Sequence, residues 1–249
     1  MRFLITKIAK RFPSLDKYWE SYQEKNDFQY FSDNCKNYKI VPFGNYCLPR
    51  VITTINRLKP TKKYGEESFP FDLCFSDFEC NIKLLSNHFR RFYNNLEFDK
   101  TRQCYINKRL NMLFNHDSMP LDEFKIRYNN RIKNLYNLLK HDPRYIYFII
   151  ATFKPITNKQ IELFIKEMTK YRPIKTYSII VINQSEKPLR NHRKNVYCID
   201  LFNDASFKKL NRTRDWCKEL KRMDTFCARI FNHKLYVKLK QIIKSNSIH

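Results

Sequence analysis

Tyr145-Ile146-Tyr147-Phe148-Ile149-Ile150-Ala151 is an unbroken apolar run in the middle of an otherwise polar stretch. A strand with one wet face alternates apolar and polar residues, whereas an unbroken run suits a strand covered on both faces, as parallel strands are. The downstream sequence fits that setting: Ile161, Phe164, Ile165 and Met168 at helical spacing, a second strand from Thr176 to Ile182, a polar loop, and a third strand from Val196 to Leu201. Strands alternating with helices predict an α/β fold, a mostly parallel central sheet flanked by helices.

Upstream, Lys39-Ile40-Val41-Pro42-Phe43 reads as a short strand ended by Gly44. Pro49 then opens a helix through Leu58 that carries Val51, Ile52, Ile55 and Leu58 on one face. Residues 59–75, with Pro60, Gly65 and Pro70, predict a long loop. Phe78, Ile82, Leu85, Phe89 and Phe92 step by four and three, predicting a helix over 77–94. A brief apolar segment, Asn111 to Phe114, precedes Asn115-His116-Asp117, and Pro120 leads into a helix with Phe124, Tyr128, Ile132, Leu135 and Leu139. The end is helical, with Trp216 and Leu220, then Leu235, Leu239 and Ile242, at helical spacing.

Residues 1–38 read as a basic helical N-terminal extension, in which the spacing of Leu4, Ile5, Ile8, Phe12, Tyr18, Trp19 and Tyr22 predicts an apolar face suited to core packing or a membrane surface. Residues 39–249 read as a single α/β domain, the default for a chain of this length. Tyr145 to Phe153 spans nine residues, about half of the roughly 20 that a transmembrane helix requires.

Hydrophobic residues at 43% and aromatic residues at 16% exclude a disordered chain. The formal charge of +24 makes a polyanion (nucleic acid, acidic glycan or lipid surface) a candidate partner, although the basic residues are scattered along the chain. Two glycines in the whole chain exclude glycine-rich nucleotide loops, and no cofactor is called for. The eight cysteines lack a preceding export signal, so they read as reduced thiols of a cytoplasmic protein. No C-x-x-C or paired His completes a zinc site, and His116-Asp117 lacks the further ligands of a two-metal centre, so no metal is expected.

Among the thiols, Cys47 lies between a strand and a helix, where free backbone N–H groups stabilise a thiolate. Gly44 and Asn45 just before it are candidate binding residues. They let the backbone turn sharply, and Asn45 is either a turn former or a donor to a developing oxyanion.

Three segments carry a resemblance: Gly44-Asn45-Tyr46-Cys47-Leu48-Pro49-Arg50, Glu67-Ser68-Phe69-Pro70-Phe71-Asp72-Leu73, and Phe114-Asn115-His116-Asp117. In that order they resemble a family catalogued as papain-like cysteine peptidases of unknown function. The resemblance covers about residues 39–152 and includes the basic–aromatic helix with Arg127-Tyr128 and Arg131-Ile132. It implies a thiol-dependent hydrolase or transferase acting on an acyl or peptide substrate, with Cys47 as nucleophile and His116 as general base. Asp72 is the candidate for orienting the imidazole, or alternatively a helix cap or loop ligand. Many family members carry Trp at the position of Leu73. Asp117 is adjacent to His116, but in extended chain its side chain faces the other way.

Overall fold

The computed structural model describes residues 35–61, 64–190, 193–205, 207–208 and 226–246, together with Gln29. The helix expected before residue 30 and the one through Trp216 and Leu220 lie outside the described residues.

Four strands, β1 (Tyr38–Pro42), β5 (Tyr145–Thr152), β6 (Tyr177–Asn183) and β7 (Val196–Asp200), form one sheet in the order β1-β5-β6-β7. Every pairing is parallel, with Tyr38 opposite Tyr145, Ile146 opposite Tyr177 and Ile179 opposite Val196. The fold is α/β, as the apolar run at 145–151 predicts.

Because side chains alternate along a strand, the run divides between two cores. Ile146, Phe148 and Ile150 share one core with Ile179 and Val181. That face is covered by α2 (Phe78–Ser86), α3 (Leu121–His141) and α4 (Asn158–Met168), through Phe78, Ile82, Leu135, Leu139, Ile161 and Phe164. Tyr147, Ile149 and Ala151 share the other core with Ile180 and Ile182, beneath α1 (Leu48–Ile55) and α5 (Phe226–Asn246). Leu48, Ile52, Leu235, Leu239 and Ile243 are their contributions. Each such fully buried side chain is worth about 1.5–3 kcal/mol, so both helical layers are held on mainly by this apolar burial.

The helix expected over 77–94 is shorter. It stops at Ser86, and His88 and Phe89 take φ of 55° and 57°, a left-handed excursion that ends helices. Phe89 and Phe92 are nevertheless buried, packed against each other from a succession of turns. Their four-and-three spacing records burial, not helix. Likewise α1 ends at Ile55 rather than Leu58, since Arg57 has φ of 57°.

A second sheet, antiparallel and of order β2-β3-β4, was not expected: β2 is Leu96–Asp99, β3 Cys104–Asn107 and β4 Met112–Phe114. Strands of four, four and three residues are too short to display a period of two. This small sheet carries the segment that ends in His116. Among the described residues no helix is long and apolar enough to cross a membrane.

Candidate functional site

The turn that carries Cys47 leaves the carboxyl end of β1, the end at which open α/β sheets bind ligands. Phe43 N–H still donates to Ile149 O at 2.9 Å, after which Gly44 turns with φ of 121°. A Cβ there would also lie 2.6 Å from Asn81 Nδ2 and push that side chain aside, but it is the backbone conformation that calls for glycine. Cys47 is the residue that caps α1, with its carbonyl accepting from Val51 N–H at 2.9 Å and Pro49 in the first turn. The placement before a helix is therefore as the sequence predicts, and the thiol is buried.

Burial pushes the other described thiols away from the thiolate form. Cys74 and Cys198 are raised to about 12 and Cys80 to about 11, while Cys35 and Cys104 are also raised. No group of His, Cys, Asp and Glu suited to a metal ion occurs among the described residues.

The Asn45 amide is held within the fold. Its Nδ2 donates to Thr152 Oγ1 at 2.8 Å, and the Thr152 hydroxyl donates its own proton to Lys154 O at 2.6 Å. A hydroxyl whose proton is so engaged must accept from Asn45, which fixes the orientation of that amide. Asn45 thus ties the β1 turn to the end of β5.

Asp72 is buried, and its Oδ2 accepts from Arg50 Nη1 at 3.2 Å. Its backbone N–H donates to Phe69 O at 3.2 Å. Burial raises its pKa, against the pull of Lys59 and Arg50. His116 is exposed just beyond β4 and makes no hydrogen bond or ion pair among the described residues. The expected Asp72–His116 contact is therefore not made. Asp72 instead grips Arg50, three residues after Cys47, and so anchors the first turn of α1.

The carboxylate that steadies the His116 turn is Asp117, a role that sequence reasoning missed. It is buried while His116 faces solvent. Arg127 Nη1 donates to Asp117 Oδ1 at 2.6 Å, Tyr128 OH donates to Oδ2 at 2.8 Å, and Arg131 Nη1 lies 3.7 Å from Oδ2. Arg131 also stands over the Tyr128 ring at 4.6 Å. The signal was present in the sequence: Arg127, Tyr128 and Arg131 share one face of a helix directly after a His-Asp pair.

Backbone pairing brings the chain beside the three motif segments together. Asn45 pairs with Ser76, and Phe75 pairs with Leu113, through Ser76 N–H to Asn45 O at 3.1 Å and Phe75 N–H to Leu113 O at 2.9 Å. The chain before Cys47 and the strand before His116 thus flank residues 75–76 on either side. Beside this junction lie two cavities of about 380 and 160 Å³, both bordered by Asn45, Asp77 and Lys154.

Compared with protein-family models, curated proteins and solved structures, the chain matches none.

Proposed function

We propose that this chain is a thiol-dependent acyl hydrolase or transferase of the papain-like kind, with Cys47 as nucleophile and His116 as general base. The observation that carries the reading is the pair of backbone bridges, Asn45 with Ser76 and Phe75 with Leu113, which bring the chain just before Cys47 and the strand just before His116 to adjacent residues. The first-turn amides of α1 favour negative charge on Cys47, and the same amides suit a developing oxyanion.

In the reaction the thiolate adds to the carbonyl carbon, and the C–N or C–O bond to the leaving group breaks as the imidazolium returns a proton to it. Water, deprotonated by the imidazole, then cleaves the thioester and releases the acid and the thiol. His116 makes no hydrogen bond among the described residues of the resting protein. Such bonds commonly tighten only when substrate is bound, and an exposed imidazole on a turn anchored by Asp117 is free to swing.

The test is labelling with a peptide chloromethyl ketone at neutral pH, mapped by mass spectrometry. Cys47 is expected to react at least about tenfold faster than Cys74, Cys80 and Cys198, whose thiolate fraction burial suppresses. Equal labelling of the wild type and Cys47→Ala would refute the proposal.

A further inference from the structure

The two cavities beside the Cys47 turn share Asn45, Asp77 and Lys154, and so adjoin as parts of one cleft whose common wall holds the Lys154–Asp77 ion pair at 3.0 Å. That pair is solvent-exposed on the lysine side, so a ligand displaces it at little cost. The halves of the cleft differ in chemistry.

The smaller half is walled by Phe75 and Phe153, which are 38% and 44% exposed. Both rings stack on Tyr46, with centroids 6.2 Å and 4.7 Å away and interplanar angles of 20° and 23°. Tyr46 is itself buried and immediately precedes Cys47 in the chain. Rings held in this way lose little freedom on binding, and exposed aromatic surface beside a polar cleft is a recurring mark of ligand contact.

The larger half carries three cations, Lys83, Arg109 and Lys154, against two carboxylates, Asp77 and Glu79. Glu79 is matched by Lys83 at 2.7 Å, and Asp77 by Lys154 and by Asn111 Nδ2 at 2.8 Å. Arg109 has no carboxylate partner among the described residues. A guanidinium with an open fork is suited to a planar carboxylate.

We propose that this cleft is the substrate subsite of Cys47, and that it takes a peptide with a large apolar side chain against Phe75 and Phe153 and a carboxylate on Arg109. The proposal rests on the reading of Cys47 as nucleophile. Two features select this occupant: the aromatic wall is continuous with the residue before Cys47, and among the described residues the charge of the cleft left without a counter-ion is that of Arg109.

The test uses the full chain and four matched peptidyl acyloxymethyl ketones, carrying Phe or Ala and, one residue further on, Asp or Asn. Each rate of Cys47 modification is divided by the same variant's rate with iodoacetamide. In the wild type, Phe is expected to exceed Ala, and Asp to exceed Asn, each by about tenfold, the discrimination that one apolar or ionic contact provides. Phe153→Ala should remove the first preference and keep the second, and Arg109→Gln should do the reverse. Absence of either preference in the wild type, or its survival in the matching variant, overturns the subsite.

Should iodoacetamide modify Cys47 no faster than a free thiol, the nucleophile reading fails by itself. Calorimetric binding of the unreactive Phe-Asp peptide, weakened by Phe153→Ala and by Arg109→Gln, would still uphold the cleft as a peptide site, and no binding would overturn it. A concentration-dependent dimer abolished by Phe153→Ala would assign the rings to a second copy, which also overturns the proposal.

Discussion

Glu66→Ala is expected to destabilise the fold by about 3–5 kcal/mol, the usual effect of removing one partner from a buried ion pair. Lys59 is fully buried, and its ammonium donates to Ile40 O at 2.9 Å and to Glu66 Oε1 at 2.6 Å. Glu66 Oε2 accepts from Lys39 at 2.9 Å. The cluster pins Lys59 and Glu66 to β1, and without the carboxylate the buried ammonium keeps, among the described residues, only the Ile40 carbonyl. Burial pulls the Lys59 pKa below the usual lysine range, so the ammonium is held at some cost. Replacing both residues together, Lys59→Met with Glu66→Leu, should therefore be milder than losing Glu66 alone. Urea unfolding monitored by fluorescence measures this, and a loss below about 1 kcal/mol for Glu66→Ala would refute the account of the cluster.

The same cluster sets a pH dependence. Burial opposes ionisation of Glu66, but Lys59 and Lys39 outweigh it and hold its pKa below the ordinary glutamate value. A depressed folded-state pKa contributes stability that is complete above the unfolded-state value and is lost as pH falls through the folded one. The midpoint of urea unfolding should therefore fall on acidification through this range in the wild type, and fall less in the double replacement.

Asp117→Ala is expected to destabilise by a similar amount, about 3–5 kcal/mol, and to slow modification of Cys47 as well. The substitution leaves Arg131, whose Nη1 is already buried without a hydrogen-bond partner, and the buried Tyr128 hydroxyl facing an empty site. It also frees the turn that presents His116. Asp117→Asn keeps an acceptor for Tyr128 and loses the charge, so it should fall between the two. Thermal unfolding together with the Cys47 alkylation rate checks both effects. A destabilised variant with an unaltered alkylation rate would separate Asp117 from the site.

The sheet was legible because burial on both faces leaves a trace in composition: Ile146 to Ala151 has no polar position, and the structure places its two sides in separate cores. The Cys47 turn was legible because Gly44 and Pro49 have few other uses at those spacings. The β2-β3-β4 sheet was not, since strands this short are specified by long-range pairing, including the bridge from Phe75 to Leu113. Asp117 faces away from His116 as expected, but the partners of both aspartates, Arg50 for Asp72 and Arg127 with Tyr128 for Asp117, were not legible for a related reason. Whether a carboxylate meets His116, Arg50 or Arg127 depends on which segments pack together, and adjacency in sequence favours neither. The helix read through Phe92 shows the opposite error, where spacing set by core contacts imitates a local period.

The pairing of Cys47 with His116 is tested most directly by the pH dependence of Cys47 alkylation with iodoacetamide, measured in the wild type and in His116→Ala. A paired thiolate keeps reacting well below the ordinary thiol pKa of about 8.5, so the wild-type rate should persist into the acid range. In His116→Ala the inflection should move up toward about 8.5, and the rate at pH 7 should fall at least about tenfold. Superimposable profiles for the two proteins would contradict the pairing and the function built on it.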